Sequence, residues 1–290
     1  MSRHTSLKVG GPADLFAIPE DTADLQALVV QLAAACIPWL AIGRGYNLLV
    51  KDGGIRGAVI SLERLNRVEV VTVPPHPDPL PHGEGKYIRA EAGAENLEVV
   101  RFGQKLGLGG IGFISGIPGT IGGAVRMNAG AYGEGILERA VCLTLLCNNE
   151  IREFCINELD YGYRRLSLQP GDILISALLQ LEERAPELTE AEIKKDLELR
   201  RTKHNVGFPS AGSFFKNPPG QAAWKLIDAA GMRGATLGGA GVSELHSNFL
   251  VNRGSATAAD FLALSAQVKE AVLKTSGILL EEEVRIVGDG

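Results

Sequence analysis

The alternation of apolar and polar positions changes period several times along the chain, and each change marks an element. "DTADLQALVVQLAAAC" opens on Asp21 as N-cap and repeats apolar residues at helical spacing, which predicts a helix. "PWLAIG" then reads as a short buried strand running into "GRGYNLLV", and "GAVISL" as a second strand. "RVEVVTV" alternates as a third strand and "KYIRAEAGA" as a fourth, followed by a helix from about Glu95 to Lys105. Further on, "AVCLTLLCNNEIREFCI" predicts a strand, an Asn-Asn turn and a second strand. "DILISALLQL" is another strand, and "TEAEIKKDLELRRTKH" a helix with a Thr/Glu capping start and a charged face. The remainder predicts helix "GQAAWKLIDAAG", strand "NFLVN", helix "ATAADFLALSAQVKEAVLKTSG" and a last strand "ILLEEEVRIVG". Strands and helices in this order predict an α+β chain with a boundary near residues 184–200.

Two stretches break the pattern. "PPHPDPLPHGEG", residues 74–85, carries five prolines in twelve positions, so it can neither pack nor join a ladder. It reads as an exposed insertion in a hairpin loop, and its His76 and His82 as solvated rather than metal-binding. "GIPGTIGGAVRMNAGAYG", residues 116–133, is dense in glycine yet interleaves Ile117, Ile121, Val125 and Met127, so it reads as buried backbone rather than a linker. Glycine in regular structure costs roughly 0.5–1 kcal/mol against alanine, and such a cluster implies main chain lying close to something. Gly43 and Gly45 flank Arg44 in a second glycine turn. Alone it is a β-turn; beside the larger block it could form a nest of N–H groups for a phosphate.

Composition narrows the class. With 290 residues, 45% hydrophobic and 22% charged, the chain has the make-up of a soluble globular protein of two or three compact units. A formal charge of −5 without a Lys/Arg stripe excludes a nucleic-acid footprint, so an anionic ligand must be met by a few placed cations. The apolar region from Leu25 to Ile42 is interrupted by Gln26, Gln31 and Pro38, which argues against a membrane span, and "MSRHTSLKVGGPADLF" carries no signal-peptide core. Cys36, Cys142, Cys147 and Cys155 show no metal spacing and read as buried reduced thiols of a cytoplasmic protein, with no metal site expected. "GLGGIG" at Gly107 to Gly112 follows a helix instead of a strand, which rejects a dinucleotide fingerprint.

Three motifs carry chemistry. "DYGYRRLSL" clusters Tyr161, Tyr163, Arg164 and Arg165; its bland reading is aromatic core with solvated arginines. "PSAGSFFKNP" places Ser213 next to Phe214 and Phe215 and ahead of Lys216 and Asn217, the make-up of a dry pocket with a few polar groups or of an ordinary turn. In "LLEEEVRIV" an extended chain puts Leu280, Glu282, Val284 and Ile286 on one face and Glu281, Glu283 and Arg285 on the other. That second face is solvated unless something covers it.

"HTSLKVGGPADLF", "GRGYNLLV", "SGIPGTIGGAVRMNAGAYG", "YGYR", "PSAGSFFKNP", "VSELHSNFLVN" and "LEEEVRIVG" stand in the order seen in UDP-N-acetylenolpyruvoylglucosamine reductases, and the chain resembles the shorter subtype of that family over nearly its whole length. The resemblance implies an α+β fold: a two-lobed FAD-binding domain of the PCMH type shared with vanillyl-alcohol-oxidase-like flavoproteins, over 1–185 with its lobes split near 66, and a C-terminal α+β substrate-binding domain over 186–290. It implies FAD against Gly43, Arg44, Gly45, Tyr46, Asn47 and Leu48 in the first turn. In the second it implies FAD against Gly116, Pro118, Gly119, Thr120, Gly122, Gly123, Asn128, Gly130 and Ala131, where side chains would collide with the cofactor. Tyr46 departs from the small residue, often serine, that the family usually carries there, and the 74–85 insertion is unusual and expected to be neutral.

The same resemblance implies the reaction. NADPH reduces the flavin, and the enolpyruvyl group of UDP-N-acetylglucosamine enolpyruvate then receives hydride at C3 to give UDP-N-acetylmuramate for peptidoglycan. Arg164 is implied to hold the substrate carboxylate and the developing enolate, Glu283 to support that centre through a retained proton, and Ser213 to protonate C2. Tyr163, Lys216 and Asn217 are implied as substrate contacts. The expected state is a cytoplasmic monomer that binds small molecules, with neither nucleic acid nor membrane as partner. Two rivals remain at this point: another FAD-dependent oxidoreductase on the same scaffold, and a flavin-binding module without catalysis.

Overall fold

The computed structural model describes residues 1–71, 86–131, 133–204 and 206–290, and the expected exposed insertion at 74–85 lies outside the described residues. Two compact units emerge, each assembled from separated stretches: Phe16–Arg44 with Ala58–Glu198, and Met1–Leu15 with Gly45–Gly57 and Leu199–Gly290. This differs from the expected linear division at 185/186.

The larger unit is built on an antiparallel sheet ordered Glu150–Cys155, Ala140–Cys147, Ile173–Glu183, Lys86–Glu91, Val68–Val71, with Leu108–Gly109 paired to the far end of the central strand. The Asn-Asn turn closes its first hairpin. Asn148 and Asn149 have φ of 49° and 66°, the positive pair that a two-residue I′ turn requires, and Cys147 faces Glu150 across it. The apolar run in Ile173–Glu183 is buried along most of its length, so this strand needs cover. The helices Asn96–Lys105 and Ile121–Arg126 contribute Val99, Val100, Ile121 and Val125 to one cluster with Ile88, Leu143 and Leu179. The helix Thr22–Ala34, capped as expected by Asp21 accepting from the Asp24 N–H at 2.8 Å, adds Leu25, Val29 and Leu32 to a second cluster with Ile60, Leu146 and Ile173. The strand Trp39–Ile42 pairs in parallel with the second half of Ile55–Ser61, Trp39 facing Ala58 and Ile42 facing Ser61.

Later elements shift from their sequence limits. The charged helix begins at Pro186 rather than at Thr189, since proline suits a first helical position where its missing N–H has no partner to lose. Thr189 is therefore buried within the helix, which ends at Leu199, and Arg200–His204 continues as a π-helical turn.

The smaller unit owes its discontinuity to burial. Leu7 and Val9 from the N-terminus and Leu49 from the middle stretch lie in one core with Phe214, Phe215, Phe261, Leu264, Val268 and Val284. Each fully buried side chain of this size contributes roughly 1.5–3 kcal/mol, enough to recruit distant segments. Main chain reinforces it: Leu48–Val50 pairs in parallel with Arg285–Val287, and Asn252 Nδ2 donates to the Leu7 carbonyl at 3.0 Å. The helix Ala258–Ser276 starts at a Thr257/Asp260 capping box and stops at Gly277 in the left-handed region. The last strand is shorter than expected, but its alternation holds. Leu280 and Val284 are buried, and Glu282 on the same face is held by Lys269 Nζ and Ser265 Oγ at 3.0–3.1 Å.

The cysteines correct one expectation. Cys142 and Cys147 are buried and Cys155 half-buried, but Cys36 is exposed, in the turn that ends the first helix with a φ of 53°. Cys142 and Cys155 face each other across two strands with sulfurs 3.5 Å apart. Burial first, then the Cys155 thiol, pushes Cys142 up to about 12, and burial followed by Asp172 pushes Cys147 up to about 11. Only thiolates alkylate readily, so at about pH 8 Cys36 is expected to react first in the native protein and Cys142 and Cys147 only after unfolding. Mass-resolved alkylation of the native chain and of Cys36→Ser checks this; fast labelling of Cys142 would contradict it.

Candidate active site

In the larger unit the glycine-rich block is core, with Ile121 and Val125 fully buried. Part of its glycine content answers to the protein itself. A Cβ on Gly43 would stand 2.5 Å from Thr120 Oγ1, one on Gly122 2.8 Å from the Ala92 Cβ, and one on Gly130 1.8 Å from the Glu134 carbonyl oxygen. At these three positions an added side chain would meet neighbouring chain of the protein itself. Gly116 also approaches chain closely, its Cβ position 3.2 Å from Asp196, and Pro118 is half-buried.

Gly123 is different. It is exposed, and the place of its Cβ meets nothing nearer than the Thr120 hydroxyl at 4.0 Å. Thr120 is 1% exposed, and among the described residues neither its Oγ1 nor the buried Ser115 Oγ has a hydrogen-bond partner. Leaving a buried hydroxyl unpaired costs about 1–3 kcal/mol. Two orphaned hydroxyls and bare main chain, with Gly119 at a φ of 131°, form a donor set that suits the phosphate oxygens of a dinucleotide. Arg44, expected against FAD, forms an ion pair with the Glu95 carboxylate.

The same block holds Arg164. Its guanidinium donates to two carbonyls of the block, from Nη1 to Asn128 at 3.1 Å and from Nη2 to Gly130 at 2.9 Å, and stacks 5.2 Å from the Tyr163 ring centre. Arg164 itself has a left-handed φ of 54°, and Tyr163 is 56% exposed. Asn128, expected against the cofactor, has its carboxamide committed within the protein. Its Oδ1 accepts from the Leu137 N–H at 3.1 Å and its Nδ2 donates to the Gly162 carbonyl at 3.2 Å. The backbone of Gly130 and Ala131 pairs with Glu134 and Gly135.

In the smaller unit Gly45 has a φ of 65°, and a Cβ there would meet the His4 carbonyl oxygen at 2.0 Å, so glycine is required by both conformation and space. The carbonyls of Gly45 and Tyr46 accept from the Ser6 N–H and hydroxyl, at 3.1 and 3.2 Å. Asn47 Nδ2 donates to the Glu283 carbonyl at 3.0 Å while the Asn47 carbonyl accepts from the Arg285 N–H at 3.0 Å. Leu48 is buried in the strand that continues this pairing.

The main chain just after Ser213 pairs with the main chain around Glu283 here. Phe215 bridges to Glu282, the Glu283 N–H donates to the Phe214 carbonyl at 2.8 Å, and the Lys216 N–H to the Glu281 carbonyl at 2.8 Å. Ser213 and Glu283 are both half-buried. Lys216 Nζ forms an ion pair with Glu281, and Asn217 Oδ1 accepts from the Ala223 N–H at 2.9 Å at the start of the helix Ala223–Ala229. Both residues, expected against substrate, therefore also brace the fold. The sequence reading passed over Asn248: it lies in the quoted "VSELHSNFLVN", and its three bonds to Phe214 and Phe215 are non-local.

A family model described as an FAD binding domain matches residues 13–148, and one described as the C-terminal domain of UDP-N-acetylenolpyruvoylglucosamine reductase matches residues 203–287. The UDP-N-acetylenolpyruvoylglucosamine reductase of Pelobacter propionicus is 68% identical over 289 residues, covering 100% of this chain and 94% of the relative. That of Geotalea uraniireducens is 52% identical over 288 residues, covering 99% and 92%. The crystal structure of UDP-N-acetylenolpyruvylglucosamine reductase from Thermus caldophilus superposes with a TM-score of 0.79 at 31% identity, covering 98% of this chain and 96% of that one.

Proposed function

The chain belongs to the UDP-N-acetylenolpyruvoylglucosamine reductase family and is an FAD-dependent oxidoreductase of α+β fold, and from that premise we propose how its own residues divide the reaction. It reduces the enolpyruvyl group of UDP-N-acetylglucosamine enolpyruvate to the lactyl ether of UDP-N-acetylmuramate, and we assign NADPH as the hydride donor. The cytoplasm, as a step of peptidoglycan precursor synthesis, is the proposed setting, and a monomer the proposed state. FAD, when bound, supplies a two-electron relay between the two substrates.

The orphaned hydroxyls of Thr120 and Ser115 and the bare main chain at Gly123 fit the phosphates of that group and are assigned to hold it. The stretch Leu199–Gly290 is assigned to the sugar nucleotide, with Tyr163, Lys216 and Asn217 as its contacts. Hydride arriving at C3 breaks the vinyl double bond and leaves the electron pair at C2 as an enolate. Arg164 offers a planar cation to the carboxylate and to that developing charge. Glu283 supports the same centre through a proton it retains in an anionic setting. Ser213 gives its hydroxyl proton to C2 and completes the two-electron reduction; a hydroxyl is a weak acid, but an enolate is a strong enough base to take its proton.

The observation that carries this reading is the main-chain pairing of Phe214 with Glu283, which lays the segment that follows Ser213 against the segment that carries Glu283. The test is spectroscopic. Purified protein is expected to be yellow, to bleach anaerobically with NADPH and to recover its colour on addition of the enolpyruvyl sugar nucleotide. Colourless protein, or bleached protein that the sugar nucleotide does not restore, would overturn it.

A further inference from the structure

We propose that Asn248 is a positioning residue for the alcohol of Ser213, an inference that rests on Ser213 being the proton donor of the reading above. The two residues after Ser213 are held almost entirely by this one asparagine. The Phe214 N–H donates to the Asn248 carbonyl at 2.7 Å, the Phe215 N–H donates to Asn248 Oδ1 at 3.0 Å, and Asn248 Nδ2 donates to the Phe215 carbonyl at 2.8 Å. The Phe214 carbonyl is taken from the other side by the Glu283 N–H at 2.8 Å. Every main-chain polar group of Phe214 and Phe215 is thereby engaged, three of the four by Asn248.

All of these groups are out of water. Asn248 is 2% exposed, and both phenylalanine rings are fully buried and meet edge to face with centres 5.3 Å apart. A carboxamide presents one acceptor and one donor in a plane, as a strand's main chain does, so Asn248 acts as a one-residue strand laid against Phe215. Just before Ser213, Gly212 turns with a left-handed φ of 76°. Ser213 thus sits between a tight turn and a segment pinned by Asn248 on one edge and by the Glu283 strand on the other. The same segment that receives Asn248 also receives the Glu283 N–H, so the main chain next to Ser213 is fixed from both sides.

Truncation of Asn248 leaves the Phe215 N–H and C=O buried without partners, and the segment must shift to satisfy them. A misplacement of about 1 Å at a reacting group can slow chemistry by about 10²-fold. In the FAD-loaded protein, Asn248→Ala is expected to slow flavin reoxidation by the enolpyruvyl sugar nucleotide by about ten-fold or more, and to leave reduction by NADPH within about two-fold. Amide hydrogen exchange at Phe214 and Phe215 should quicken in the same variant, a readout independent of turnover.

The deciding measurement is the double variant. If Asn248 acts through the Ser213 alcohol, Ser213→Ala with Asn248→Ala reoxidises no more slowly than Ser213→Ala alone. Slowing that adds in full, or unchanged reoxidation in Asn248→Ala despite faster exchange, overturns the proposal while leaving Ser213 in its role. Unchanged reoxidation in Ser213→Ala alone would instead overturn the proton-donor reading, and this proposal with it. Should Asn248→Ala fail to fold, Asn248→Asp, which keeps the acceptor for the Phe215 N–H and lacks the donor, carries the same comparison.

Discussion

Ser213→Ala is expected to slow flavin reoxidation by the enolpyruvyl sugar nucleotide by about 10²-fold or more while reduction by NADPH stays within about two-fold of the unaltered protein. A loss of that size corresponds to about 2.7 kcal/mol of transition-state stabilisation, well within what a positioned general acid supplies. The fold gives little reason for any other effect. Ser213 is half-buried, and the fully buried Phe214 and Phe215 with the Asn248 clamp hold the chain in place by contacts that do not involve its hydroxyl. Surface-type substitutions of this kind change stability by roughly 0.5 kcal/mol or less. Stopped-flow measurement of the two half-reactions under anaerobic conditions separates the outcomes. Equal slowing of both halves would remove Ser213 from proton delivery and point to damage at the flavin or to the clamp.

Much local chemistry was legible in the sequence where a partner lay close along the chain, the Thr189 capping start excepted. The Asn148–Asn149 turn, the Asp21 cap and the alternation of Leu280, Glu282 and Val284 all depend on neighbours within a few residues, and all stand in the structure. The discontinuity of the compact units was not legible, for the opposite reason. Leu7, Val9 and Leu49 are anchored by a core whose other buried members begin at Ala211, and no local period announces that. The asparagines show the limit most clearly. Asn47, Asn128 and Asn217 stand in motifs that the resemblance ties to cofactor or substrate, yet each carboxamide bonds main chain of the protein itself, as Asn248 does. An asparagine imitates a peptide group, so a motif residue can be indispensable as a strut, and only coordinates tell a strut from a ligand contact. The glycines divide in the same way, with Gly43, Gly122 and Gly130 required by the packing of the chain and Gly123 open.

Arg164→Lys is expected to be the more damaging change, lowering kcat/KM for the enolpyruvyl sugar nucleotide by about 10³-fold although the charge is kept. Both residues are L-amino acids with Cβ, so the left-handed φ of 54° at this position costs each the same, and the substitution isolates the head group. The guanidinium reaches the carbonyls of Asn128 and Gly130 at once, with its two terminal nitrogens and at 3.1 and 2.9 Å. A lysine ammonium is a compact point charge and cannot present that fork. It loses at least one charge-assisted hydrogen bond to a partly buried carbonyl, about 1.5–3 kcal/mol, together with the planar edge that would bind the substrate carboxylate. Loosening Asn128 and Gly130 also frees the glycine-rich block, so FAD retention should fall alongside. If Arg164 serves both cofactor and substrate as proposed, Arg164→Lys is expected to raise KM and lower kcat together, unlike Ser213→Ala, whose expected effect falls on the protonation step. Measuring both constants, with the FAD content of the purified variant, decides the matter: activity within about ten-fold of the unaltered protein would show that positive charge alone suffices and that the two-pronged geometry has no part in the reaction.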